Sequence, residues 1–123
     1  MTENVITVEP STTIVDAAKK MVESRHGPLP VVEGERLVGI ITDRDLVARV
    51  VAEGRDPTGL TVNDIETREL VTIAPDADLE EAIVQMRKHQ LDRLLVVEGE
   101  RLVGIISEAD LPGKDQVRPG GAP

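Results

Sequence analysis

The sequence of 123 residues contains no cysteine and no phenylalanine, tyrosine or tryptophan. Without cysteine the protein can form no disulfide bond, no thiolate zinc site and no cysteine nucleophile. Without aromatic rings its core has to be built from closely interdigitated aliphatic side chains and methionine. No apolar stretch is long enough to span a membrane and the N-terminal residues show no secretory signal, so we expect a cytoplasmic protein.

Basic residues are also few: the sequence has 14 Lys and Arg against 23 Asp and Glu, which gives a net charge of −9. A protein that binds nucleic acid normally presents a basic face to the phosphates, so we expect no nucleic-acid partner. The two histidines, His26 and His89, have no carboxylate pair at ligand spacing, which argues against a metal site. No nucleophile with a base and no acid–base pair stands out, so we do not expect an enzyme.

What the sequence does contain is an internal repeat. The letters VVEGERLVGII occur at 31–41 and again at 96–106, and the same offset of 65 aligns TDRDL at 42–46 with SEADL at 107–111. This predicts one unit of about sixty residues present in tandem. Because a unit of that size is marginal alone, we expect an inseparable pair. Its parts are repeat 1 at 1–58, repeat 2 at 59–113 and a disordered polar tail at 114–123.

Hydrophobic periodicity and turn residues predict the order strand, helix, strand, strand, helix in each repeat. The predicted elements are strands at 5–8, 29–33 and 37–41 with helices at 14–25 and 42–54, a short helical lead at 61–65, then strands at 70–73, 94–98 and 101–106 with a helix at 78–89. Gly34-Glu35 fits a two-residue hairpin loop of type II′. Gly39 and Gly104, inside strands, indicate either close approach of a backbone or ligand, or a bulge. Pro112-Gly113 should truncate the last helix of repeat 2.

This tandem unit resembles the CBS domain, two copies of which form a CBS pair or Bateman module. The segments that carry the resemblance are HGPLPVVEGERLVGIITDRDL and LDRLLVVEGERLVGIISEADL, and it extends over roughly residues 1–111. It implies an α/β (α+β) fold of two β-α-β-β-α repeats packed sheet to sheet. It also implies a stand-alone regulatory module.

CBS pairs commonly bind adenine nucleotides in clefts between repeats. Carried over to this sequence, the resemblance implies that Thr42 and Ser107 contact phosphate, while Asp45 and Asp110 accept hydrogen bonds from ribose hydroxyls. The residue types suit these roles, since a carboxylate can accept from two vicinal hydroxyls. The same residues also read as two capping boxes, Thr42-x-x-Asp45 and Ser107-x-x-Asp110, which need no ligand.

Basic residues distinguish the two repeats. In the family a basic residue just before the second strand often contacts phosphate, and Arg93 occupies that place in repeat 2, where repeat 1 has Pro28. Arg44 is a candidate substitute in repeat 1, the alternative being an exposed helix arginine. Asp43 and Glu108 add negative charge beside the implied phosphate sites, which disfavours ATP more than AMP or a nucleoside.

Two functions follow as expectations. The first is a regulatory module that binds an adenine nucleotide (AMP, ADP or ATP) as a regulatory ligand, with no required cofactor, and signals to an unidentified partner protein. The second is a ligand-free interaction or structural protein that acts through oligomerisation, for example in a stress response.

A homodimer is expected under either function. The predicted second helix of repeat 1 carries Val47, Val50 and Val51 as an apolar stripe, and such stripes on soluble proteins usually mark interfaces. We expect contacts mainly through the helices of repeat 1 and the helix at 78–89, related by a two-fold axis.

Overall fold

The computed structural model describes residues 5–24 and 27–107. They form a mixed α/β chain with five strands. The elements are α1 (Ile14–Ser24), β1 (Leu29–Glu33), β2 (Arg36–Ile41), α2 (Asp43–Leu46) continued by a π-helical turn (Val47–Val51), a 3₁₀ turn (Pro57–Gly59), α3 (Val62–Ile65), β3 (Thr72–Ile73), α4 (Leu79–His89), β4 (Arg93–Glu98) and β5 (Arg101–Ser107). The fold class predicted from the repeat is confirmed.

The offset of 65 residues is also the structural period. Helices α1 and α4 are both 11 residues long, and each begins and ends 65 residues from the other. Two of the three buried residues of α1 match, because Ala17 and Met21 correspond to Ala82 and Met86, whereas buried Ile14 corresponds to exposed Leu79. The buried positions follow the predicted helical period, but the apolar stripes are narrower than predicted, since Val22 and Leu79 are exposed.

The chain divides into two compact units. The first contains residues 6–70 together with 100–102. In it β1 and β2 pair antiparallel, with a register shift where Val31 lies opposite Gly39 but Val32 lies opposite Leu37. This shift is the bulge that a glycine inside the strand indicated. The core joins α1, both strands, the π-helical turn and α3; its fully buried members include Ala17, Val31, Ile41, Val62 and Ile65.

The strand predicted at 5–8 is reduced to one bridging residue. Val8 donates its N–H to the Pro30 carbonyl and accepts from the Val32 N–H, at 3.0 and 2.9 Å, which makes an isolated parallel bridge with Val31. Pro10 follows two residues later and helix α1 begins at Ile14, so the ladder has no room to extend.

The second predicted helix, at 42–54, is present but irregular. After α2 the chain widens into a π-helical turn, in which the Ala52 N–H donates to the Val47 carbonyl at 2.8 Å. Gly54 ends the helical path at a φ of +67°, as its position suggested. Along this stretch Val50 is buried in the core, whereas Val47 and Val51 are exposed. The expectation that all three valines form one exposed stripe was therefore wrong for Val50.

The second unit contains residues 71–99 and 103–107, with Val5. Strand β3 pairs parallel with β4, and β5 lies next to β4. The β3 strand is shorter than the predicted 70–73, since only Thr72 and Ile73 pair. The small core of this unit is formed by Ile73, Ala82, Met86, Leu94 and Val96.

The two-residue loop predicted at Gly34-Glu35 is present, and its counterpart at Gly99-Glu100 has the same form. Gly34 and Gly99 stand first in their two-residue loops with φ of +63° and +66°, a region that L-residues seldom adopt. Several expectations lie outside the described residues: His26, the truncated last helix at Pro112-Gly113 and the tail at 114–123. Among the described helices, none is both long and apolar enough to cross a bilayer.

Candidate functional site

The Thr42–Asp45 pair lies where β2 ends and α2 begins. Thr42 is the N-cap residue, and its hydroxyl accepts from the Asp45 N–H at 3.1 Å. The Asp45 Oδ2 in turn accepts from the Thr42 N–H at 2.9 Å and from the Thr42 hydroxyl at 3.1 Å. The capping box predicted as the ligand-free alternative is therefore fully formed.

The other oxygen of Asp45 is used less. Its Oδ1 accepts from the Thr67 hydroxyl at 3.5 Å, a long contact, and both Asp45 and Thr67 are partly exposed. Thr67 reaches this place because it pairs with Ile40: the two residues exchange backbone hydrogen bonds of 2.9 and 2.8 Å. The carboxylate thus has one oxygen committed to the cap and one with spare acceptor capacity.

Glu66 lies beside this pair and is buried. Its side chain is 1% exposed, and the Arg68 Nη2 lies 3.8 Å from its Oε2. Burial raises the pKa of the Glu66 carboxyl, the Arg68 guanidinium lowers it, and the Glu33 carboxylate raises it further. Room for the carboxyl exists because residue 39 is glycine, since a Cβ there would collide with the Glu66 Oε1 and lie 3.1 Å from the Thr67 carbonyl.

The charged neighbours of the Thr42–Asp45 pair are mainly acidic. The Arg44 side chain is exposed, whereas its N–H donates to the Asp43 Oδ1 at 2.9 Å. The Asp43 carboxylate is so close to Gly27 that a Cβ at that position would lie 2.7 Å from it. A carboxylate therefore stands next to Pro28, the position that holds Arg93 in the other repeat.

In the second repeat, the structure describes two of the three predicted residues. Arg93 is the first residue of β4 and Ser107 the last of β5, and both are partly buried. Because a two-residue loop joins these strands, their far ends lie at the same end of the hairpin. Asp110 lies outside the described residues.

Sequence reasoning missed Thr67 and Glu66. Both lie in the segment between α3 and β3, where periodicity gives no signal. The available signal was Gly39, which indicated close approach by another part of the chain without identifying that part. No group of three His, Asp or Glu residues within 5–24 and 27–107 is placed to hold a metal ion.

Comparison with known families decides what this repeated unit is. The model of the CBS domain matches residues 1–52 and again 62–111. The chain belongs to the CBS domain family. The Thr42–Asp45 and Ser107–Asp110 motifs fall inside the two matched CBS segments, as does the eleven-residue repeat.

Relatives and solved structures of CBS proteins resemble this chain over most of its length. It is 44% identical over 112 residues to the CBS domain-containing protein YhcV of Bacillus subtilis, covering 90% of this chain and 79% of YhcV. It is 36% identical over 100 residues to hypoxic response protein 1 of Mycobacterium tuberculosis, with 80% and 70% covered. A structure of CBSX2 in complex with AMP superimposes with a TM-score of 0.78 at 28% identity, covering 90% and 88%.

Proposed function

We propose that this CBS pair is a cytoplasmic regulatory module, not an enzyme, that binds an adenine nucleotide and passes the signal to a partner protein. The observation that carries the proposal is the state of Asp45. Among the described residues, its Oδ1 accepts only the long contact from Thr67, and Asp45 is partly exposed. Two vicinal ribose hydroxyls would supply further donors to this oxygen.

The charges near Asp45 favour a ligand with few phosphates. Asp43 and Asp45 are both acidic, and the Arg44 side chain is exposed on the helix. Each added phosphate charge would increase repulsion from the carboxylates. We therefore propose that the Thr42 site takes a ligand with at most one phosphate group, either a nucleoside or AMP. For the site that includes Arg93, Ser107 and Asp110 we propose a nucleotide with one or more phosphate groups. The complex of CBSX2 with AMP supports this ligand class.

The experiment is a thermal-shift screen of the full chain with AMP, ADP, ATP, NAD and S-adenosylmethionine, followed by calorimetric titration of the best ligand. A ligand at 100 times its Kd stabilises the folded state by about 2.7 kcal/mol. Asp45→Ala should then weaken binding by about 1.5–3 kcal/mol, as expected for hydrogen bonds to a charged acceptor. Asp110→Ala reports on the second site in the same way.

The chain provides a matched control. Asp64 closes a capping box of nearly the same geometry with Thr61, at 2.9 and 3.2 Å, at the start of α3. Asp64→Ala should cost about 1 kcal/mol of stability, as loss of a cap does, without changing affinity. If Asp45→Ala also lowers stability and leaves affinity unchanged, Asp45 is a cap only and the proposal for this site is wrong.

A second function, association without a ligand, is favoured by an apolar groove on the first unit. Helix α1 and the π-helical turn line it, and its walls include Val22 and Val51, which are 78% and 71% exposed. Lys19, Arg55 and Glu23 stand along the groove, so two copies related by a two-fold axis could pair opposite charges. Helix α4 also exposes Leu79 and Val84. We propose that these helices form a homodimer interface.

This association is tested by light scattering at tens of micromolar. Val51→Glu should give folded monomers, because Val51 is 71% exposed and lies outside the core. Val50→Glu is not suitable, since Val50 is buried. Ile6→Glu, at an exposed apolar residue outside the groove, is the control and should remain dimeric. A monomeric unmodified protein would contradict the interface.

A further inference from the structure

Glu66 is a buried acid with no hydrogen-bond partner. Among the residues that the structure describes, neither of its carboxylate oxygens accepts a hydrogen bond. The Arg68 guanidinium at 3.8 Å is beyond hydrogen-bond distance, and its Nη2 already donates to the Asn63 Oδ1 at 2.6 Å. An ionised carboxylate in this setting is strongly disfavoured, because it has lost water without gaining donors.

The burial is shallow. Arg68, whose Nη2 lies 3.8 Å from the carboxyl, is 67% exposed, so the carboxyl lies just beneath the protein surface. The carboxyl occupies the space that Gly39 leaves in β2. A small movement of the segment that carries Glu66 would therefore expose the carboxyl to water.

The same segment positions the candidate ribose site. Residue 67 follows directly, and its two backbone hydrogen bonds to Ile40 hold it on β2. From there the Thr67 hydroxyl reaches the Asp45 Oδ1. On the other side, the Arg49 Nη1 donates to the Ile65 carbonyl at 2.8 Å. Glu66 is thus connected to Asp45 through β2. Its carboxyl packs on Gly39, the next residue Ile40 is hydrogen-bonded to Thr67, and the Thr67 hydroxyl contacts Asp45.

We propose that Glu66 is a pH-sensitive positioning residue: its neutral carboxyl keeps residues 66–67 on β2, and its ionisation releases them and withdraws Thr67 from Asp45. The consequence for nucleotide affinity rests on the function proposed above, whereas the proton-controlled movement does not. The charged groups near Glu66 are Arg68, which favours the ionised form, and Glu33, which opposes it. Arg49 contacts the preceding carbonyl, and Asp45 lies beyond Thr67.

The direction of the pH effect follows from the raised pKa of Glu66. The released segment titrates at the ordinary glutamate pKa, whereas the packed segment binds its proton more tightly. Packing is therefore most stable below the ordinary pKa and weakens as the pH rises toward the raised value. Between the two values, the equilibrium for release should increase about tenfold per pH unit.

The experiment measures hydrogen-exchange protection of the Ile40 and Thr67 amides by NMR, together with the carboxyl chemical shift of Glu66, across acidic to neutral pH. In the unmodified protein, protection of both amides should fall as the pH rises. The amide of Val32, which donates to Val8 at the other edge of β1, should keep its protection. In Glu66→Gln, protection of Ile40 and Thr67 should be independent of pH, and the melting temperature at pH 7 should rise by about 4 °C.

Glu69→Gln is the matched control, since it removes the same charge from an exposed position three residues away. It should leave the pH dependence intact. Protection that does not change with pH in the unmodified protein, or a Glu66 carboxyl that titrates no higher than Glu69, would overturn the proposal.

Titration with AMP at each pH separates the two proposals. Affinity that changes with pH in the unmodified protein but not in Glu66→Gln supports both. If AMP fails to bind at every pH while amide protection still depends on pH, the nucleotide function is wrong and the Glu66 switch is supported. If AMP binds and protection is independent of pH, the switch is wrong and the nucleotide function stands.

Discussion

Residues 31–41 and 96–106 have the same eleven letters and form the same hairpin, yet they differ in burial. Both copies turn at a glycine of positive φ, +63° at Gly34 and +66° at Gly99. At the far end of the hairpin, however, Ile41 is fully buried whereas its counterpart Ile106 is only partly buried. The turn glycines therefore adopt nearly the same conformation in both copies, whereas the depth of burial depends on the surrounding elements.

Within residues 5–24 and 27–107, the core of the first copy includes residues of the π-helical turn and α3 that have no counterpart in the core of the second copy. Ile41 shares a core with α1, the π-helical turn and α3, whose Val62 and Ile65 are fully buried. The second copy contributes Val96 to a smaller core, against which Ile106 is partly packed. The two identical segments therefore allow the effect of the surrounding structure on burial and stability to be measured within one molecule.

The largest difference between the copies is expected for loss of the terminal isoleucine. Ile41→Ala should lower the free energy of unfolding by about 3–4 kcal/mol, since a buried isoleucine loses both its transfer free energy and the packing around it. Ile106→Ala should cost about 1–2 kcal/mol, because part of that side chain is already in water. Urea unfolding of both variants measures the difference, and equal losses would contradict the comparison.

A medium effect is expected at Gly39, where the first copy faces Glu66. Gly39→Ala should destabilise the protein by about 1–3 kcal/mol, because the new methyl group meets the Glu66 carboxyl and presses on the Thr67 carbonyl. In the background of Glu66→Ala the cost of Gly39→Ala should be smaller, since one of the two obstacles is gone. A double-mutant cycle measured by urea unfolding gives this coupling, and additive effects would show that the contact does not limit residue 39.

The smallest effect should be the same in both copies. Gly34→Ala and Gly99→Ala each place an L-residue at positive φ, at positions with no atom within 4 Å of the new Cβ. The cost is then one of backbone conformation, about 1 kcal/mol in each copy. Thermal unfolding of both variants should give equal shifts. Unequal shifts would mean that tertiary context acts on the turns as well.

The two candidate sites differ in the same way as the two hairpins. The motif residues repeat, but Pro28 stands where the second repeat has Arg93, and Asp43 lies against Gly27 beside it. Conversely, Glu66 and Thr67 are positioned by β2 of the first unit. We therefore expect the two sites to differ in ligand preference. The first site should prefer ligands that carry fewer phosphate groups.

Much of the fold could be predicted from the sequence because it follows from local rules. The offset of 65 residues located α4 from α1, the glycines located both hairpin loops, and Asp78 marked the start of α4, where its carboxylate accepts from the Glu81 N–H at 2.8 Å. The Thr42–Asp45 box was predicted for the same reason, since four consecutive residues, from the N-cap to the third helical position, suffice to form it.

The exposure of the valines after α2 and the identity of the groups around Asp45 were decided only by tertiary structure. Val50 lies in the core, whereas Val47 and Val51 in the same π-helical turn are exposed, and the apolar pattern of the sequence does not distinguish them. Thr67 and Glu66 reach β2 from a segment about 25 residues away along the chain, through backbone hydrogen bonds that any residue type can make. The sequence by itself determined the repeated unit, its helices and its turns, because these depend on neighbours in the chain. Packing decided which copy is deeply buried and which acid lies beside the candidate site, because burial depends on elements that are distant in sequence.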